Sequence, residues 1–140
     1  ERFKMNSTQF QNNKEQILPL RLQAYERLSL FLERARVTNL ILRFPKGEMN
    51  YSQWISTLML AIQQEYEHNM VQQIYVSDQL WNIISLTKDE IFQSLNEIAH
   101  LYEQNPEDSI AIQKSIEHSQ QYITTALSAI KQEVKLILHV

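Results

Sequence analysis

Apolar residues recur along the chain at spacings of three and four, the period of an amphipathic helix, over four stretches. The first comprises Leu18, Leu22, Tyr25, Leu28, Leu32 and Ala35, with Arg21, Gln23, Arg27 and Arg34 mostly off the stripe. Pro19 suits a first helical turn, where its missing N–H is harmless, so this helix is predicted from Pro19 to Arg36. Asn50 and Gln53 have capping-box spacing and open a second helix that runs to Tyr75. Ser77 and Asp78 cap a third helix, in which Ile84, Ile91, Leu95, Ile98 and Tyr102 keep one register. That register makes it continuous past Leu86, although Thr87 to Glu90 repeats a capping-box spelling. Asn105, Pro106, Glu107 and Asp108 combine a cap, a first-turn proline and acids, and start a fourth helix reaching nearly to Val140.

Between the first two helices, Val37 to Met49 breaks the period and holds Asn39, Pro45 and the single glycine, Gly47. Leu40, Ile41, Leu42 and Phe44 are too apolar for a solvated loop, so an extended segment tucked against the helices is expected. Residues 1–16, rich in Asn, Gln, Ser and Lys, read as a flexible lead-in, leaving 17–140 as one domain. The short link between helices two and three makes them antiparallel neighbours. The expected fold is all-α, an up-down four-helix bundle with a long C-terminal helix. In that helix Ile116, Ile123, Leu127, Ile130, Val134 and Ile137 form a heptad-like seam, and Leu136, Leu138 and Val140 broaden its apolar end. The seam Ile123, Leu127, Ile130, Val134 and Ile137 is the expected site of self-association, with a homodimer sensitive to Ile130 or Val134.

Composition narrows this further. One glycine and three prolines in 140 residues are too few turn residues for a multi-stranded sheet. Hydrophobic residues at 44% and charged residues at 21% argue against disorder over most of the chain. A net charge of -3 supplies no broad positive field, which disfavours nucleic acid as a partner. With no cysteine there is no disulfide framework, thiolate metal site or thiol nucleophile. No apolar run approaches the roughly 18 residues that cross a bilayer, so this stretch of chain is expected to make no membrane contact itself.

The candidate site lies in the second helix, where Glu65, Asn69 and Gln73 interrupt the stripe Ile55, Met59, Ile62, Tyr66 and Val76. A buried amide or carboxylate without partners costs roughly 1–3 kcal/mol, so polarity at such positions demands hydrogen bonds. With His68, and with Arg21 and Tyr25 of the first helix, these residues make a structural polar layer or a partner or ligand site. Arg21 or Arg27 is the expected ion-pair partner of Glu65 or Glu67.

Two Glu-x-x-His spellings, Glu65–His68 and Glu97–His100, also suggest a ferritin-like metal site, for which Glu26 or Glu33 and Glu117 are the only further carboxylates suitably placed. The register of helix three puts Glu97 on the side opposite its core, which argues against that site. The remaining histidines, His118 and His139, accompany no nucleophile elbow, and one glycine cannot build a phosphate loop. Trp54, Tyr66, Tyr75, Trp81 and Tyr102 at helical spacing read as core or groove lining. No catalytic residue, metal or cofactor is assigned.

Two stretches carry a family resemblance: Leu18-Pro19-Leu20-Arg21-Leu22-Gln23-Ala24-Tyr25-Glu26-Arg27-Leu28, and Glu65-Tyr66-Glu67-His68-Asn69 continuing through Gln72-Gln73-Ile74-Tyr75-Val76-Ser77 to Trp81. Over residues 17 to 100 the chain resembles an uncharacterised bacterial family of small helical proteins. The resemblance implies an N-terminal membrane-spanning helix followed by basic residues and then this domain on the cytoplasmic side. Glu1-Arg2-Phe3-Lys4 would be the stub beyond that helix. It implies no activity or cofactor. The favoured expectation is a non-enzymatic interaction or scaffold module that self-associates or binds another protein. The alternative is a metal- or small-ligand-binding bundle centred on Glu65 and His68.

Overall fold

Helix boundaries follow the local capping chemistry more closely than the apolar period in the computed structural model, which describes residues 7–140. Six helical segments occur among the described residues: α1 (Ser7–Arg34), α2 (Val37–Arg43), α3 (Tyr51–His68), a 3-10 helix (Met70–Tyr75), α4 (Asp78–Gln104) and α5 (Ser109–Leu138). The fold is all-helical with a long C-terminal helix, but two short segments join the four long helices that the period predicts. At α3 the capping box forms as spelled: Asn50 Oδ1 accepts from Gln53 N at 2.8 Å and Gln53 Oε1 accepts from Asn50 N at 3.1 Å. Ser77 Oγ accepts from Leu80 N at 3.0 Å and opens α4, which is continuous through Leu86.

Four expectations are corrected. The predicted lead-in is helical from Ser7, and Pro19 lies inside α1 rather than at its start; residues 1–6 of the lead-in lie outside the described residues. A proline here removes the bond to the carbonyl of Glu15, and both residues are exposed, so water can satisfy that oxygen. The segment after α1 is a short helix, not an extended one. Val37 and Leu40 are both buried at i,i+3 while Leu42 is 81% exposed, a pattern no extended strand provides because Leu40 and Leu42 would share a face.

The second predicted helix stops at His68, with Asn69 as its C-cap, and continues as the 3-10 segment. Asn69 and Gln73 are therefore not seam positions. Asn105, expected to open the last helix, closes α4 through its N–H to the Leu101 carbonyl at 2.8 Å. Asp108 is the actual cap, accepting from Ala111 N at 3.1 Å.

Packing pairs α3 with α4 in antiparallel fashion, as the stacked Tyr51–Tyr102 rings (4.4 Å) and the Tyr66–Ser85 hydroxyl pair (2.8 Å) fix both ends. One core runs through Leu28 and Leu32 of α1, Leu58 and Ile62 of α3, Ile84, Ile91 and Leu95 of α4, and Ile123 of α5. The predicted seam faces this core: Ile123 and Ile130 are 0% and 4% exposed, and Leu127, Val134 and Ile137 pack against it half-buried. Ile123 and Ile130 are thus committed within the chain. Gly47 holds a positive φ of 56° in the turn leading into α3, a backbone state other residues rarely adopt.

Candidate functional site

The residues expected to form one polar layer divide between two places, and Gln73 joins neither. Arg21 and Tyr25, one turn apart on α1, meet Glu133 of α5 and Ser77 at the head of α4. Arg21 Nε donates to the Tyr75 carbonyl at 3.0 Å and a second guanidinium nitrogen donates to Tyr25 Oη at 3.1 Å. Tyr25 Oη in turn donates to Glu133 Oε2 at 2.7 Å, which also accepts from Ser77 N at 3.1 Å. Ser77 Oγ donates to the other carboxylate oxygen of Glu133.

Burial pushes the Tyr25 phenol up to about 12, reinforced by the Glu133 carboxylate. Burial by itself would raise Glu133 as well. The hydrogen bonds from Ser77 and Tyr25, helped by the charge of Arg21, outweigh it and hold the carboxyl below its ordinary value. A phenol locked neutral and a carboxylate locked ionised exchange no proton near neutrality, so this network is a fastening of α1, α4 and α5.

Glu65 lies elsewhere, in the last turn of α3. Arg34 Nε reaches Glu65 Oε1 at 2.6 Å and Arg43 reaches the same oxygen at 3.5 Å, so its partners come from the ends of α1 and α2 rather than from Arg21 or Arg27. A second nitrogen of Arg43 donates to the Arg34 carbonyl at 2.7 Å. Asn69 Nδ2 donates to the Glu65 carbonyl at 2.8 Å, a helix-end contact. His68 and Gln73 are exposed.

Glu97 and His100 are exposed too, but Glu97 accepts from Ser115 Oγ of α5 at 3.3 Å, so it lies on the flank toward α5 rather than opposite the core. No group of three or more His, Asp or Glu placed to hold a metal occurs among the described residues. No helix of the described residues is long and apolar enough to cross a membrane.

Two concavities collect some of the candidate residues, while Arg21, Gln73, Ile123 and Ile137 line neither. A cleft of about 450 Å³ among α1, α2 and α3 contains Glu65, His68 and Asn69, with Arg27, Arg34 and Arg43 around them. A groove of about 640 Å³ between α1 and α5 contains Tyr25 and the seam residues Leu127, Ile130 and Val134, with Leu22 beside them. Sequence reasoning missed Arg34, Arg43 and Glu133. Only Glu133 left a signal: it follows Ile130 by three residues, on the inward side of α5.

No curated protein and no solved structure matches this chain. A family model does match, over residues 1–137, and the chain belongs to DUF7935, a family of unknown function.

Proposed function

We propose that this domain is a non-enzymatic interaction module that pairs with a second copy of itself along the groove between α1 and α5. The observation that carries the proposal is the make-up of that groove. Leu22, Leu127 and Val134 are its partly exposed apolar floor, over the buried Ile130; its α1 rim carries Glu26 and its α5 rim carries Lys131 and Lys135. A two-fold interface sets residue i against j and j against i. Pairing of two such grooves brings each α1 rim, acidic, onto the partner's basic α5 rim while the half-buried leucines and Val134 leave water. The Arg21–Tyr25–Glu133 network lies beneath this surface and keeps α1 and α5 in fixed register.

The proposal places the domain at the cytoplasmic face of a membrane, which rests on the family resemblance. Confinement there raises local concentration, so even a weak pairing is populated. Sedimentation equilibrium of the purified domain tests the pairing. The expected result is a concentration-dependent dimer that Val134→Glu converts to a folded monomer. Glu26→Lys should weaken it, and combining that change with Lys131→Glu and Lys135→Glu should restore it. A mass of one chain at every concentration overturns the proposal.

A further inference from the structure

The cleft among α1, α2 and α3 shares no lining residue with the α1–α5 groove and carries a separate inference. Its charges do not balance. Arg27, Arg34, Arg43 and the exposed His68 face one carboxylate, Glu65. Part of the excess answers the helix ends, since Arg34, Arg43 and His68 each occupy a last turn, where a cation complements the backbone dipoles.

The rest does not. Arg27, two turns before Arg34 on the same face of α1, pairs with no carboxylate among the described residues. Arg43 Nε is buried without a hydrogen-bond partner, and a terminal nitrogen of the same guanidinium approaches Glu65 only to a long 3.5 Å. One terminal nitrogen is bonded to the Arg34 carbonyl at 2.7 Å, so the nitrogen facing Glu65, held only by the long contact, is the one that can take a new acceptor without loss of a good bond.

Apolar surface adjoins these charges. Leu30 is 60% exposed on the cleft wall, with Phe31, Phe44 and Ala61 beside it. Phe44 is held in place because Trp54 Nε1 donates to its carbonyl at 2.6 Å. The combination suits an occupant that offers a carboxylate next to an apolar side chain, and the volume admits one or two side chains rather than a helix.

We propose that the cleft captures an acidic peptide segment of a partner protein, its carboxylate taken by Arg27 and Arg43 and its neighbouring apolar side chain by Leu30 and Phe44. Guanidinium forks match carboxylates in two-point fashion, and the apolar wall gives a flanking leucine or phenylalanine a place that inorganic anions do not use.

Fluorescence anisotropy with a labelled peptide alternating Glu with Leu and Phe tests this, beside the same peptide with Gln for Glu, inorganic phosphate, and phosphatidylserine vesicles. The Glu peptide should bind, and more weakly as salt rises. The Gln peptide and the Arg27→Gln protein should each lose roughly tenfold, the value of one charged hydrogen bond. Leu30→Ser should weaken binding at unchanged helicity, and Val134→Glu should leave it intact. Equal binding of the two peptides overturns the inference. So does Arg27-dependent binding of vesicles or phosphate in place of the peptide, and so does loss of binding in Val134→Glu, which would assign it to the groove.

Discussion

Tyr25 and Glu133 hold one proton between α1 and α5, and each titrates in a direction that makes the fold's stability depend on pH. The Tyr25 phenol is raised from 10.0 to about 12, so the folded chain holds that proton more tightly than the unfolded one. Its contribution is complete below pH 10 and is lost as pH rises toward 12. Urea titrations at stepped pH should show stability falling across that window, on the order of 2 kcal/mol, and Tyr25→Phe should remove that part of the slope.

Glu133 is lowered, which gives the opposite limb: its contribution is present above the ordinary carboxylate range and disappears as pH falls through the depressed value. Glu133→Gln should flatten the acid limb while lowering stability at neutral pH. Tyr25→Phe also withdraws a donor from a partly buried carboxylate, a loss of about 1.5–3 kcal/mol at neutral pH. A neutral-pH midpoint unchanged in Tyr25→Phe would mean that the bond contributes nothing.

Among the elements, α5 separates what periodicity tells from what it leaves open. Spacing identified its buried face, but a seam against a partner and a seam against the chain's own core read alike. Ile130 is 4% exposed and closes the core against α1, so Ile130→Ala should cost about 2–5 kcal/mol and leave the mass of the folded fraction unchanged. A shift in mass at unaltered stability would return the residue to an interface.

Local chemistry was legible wherever it is local. The Asn50–Gln53 box and the Ser77 cap form as spelled because all their atoms lie within four residues. Asn105-Pro106 misled because Asp108 offers the same oxygen three residues later. Pro19 misled because exposure makes its cost bearable, and Pro19→Ala should raise helicity and stabilise α1 by about 1–3 kcal/mol, read by circular dichroism. Glu65's true partners, 31 and 22 residues away at two other helix ends, left no local trace.

At the scale of the whole molecule, a chain of net charge -3 concentrates three arginines around one carboxylate, and Glu65 therefore serves two opposed ends. It ties the last turns of α1, α2 and α3 together, yet it also neutralises part of the charge that would draw an acidic partner. Arg34 is 44% exposed at its side chain and Glu65 25%, so solvent screens the tie and its worth is on the order of 1 kcal/mol. Glu65→Gln should lower the urea midpoint by that modest amount. The same change raises the cleft's net charge by one, and it should tighten the Glu-containing peptide, with the gain shrinking as salt is added. Stability and affinity then move in opposite directions from one substitution, the usual mark of a residue whose placement trades one for the other. If both fall together, Glu65 is needed to hold the arginines in their receiving geometry, and the cleft's recognition of carboxylates depends on a preformed frame rather than on surplus charge.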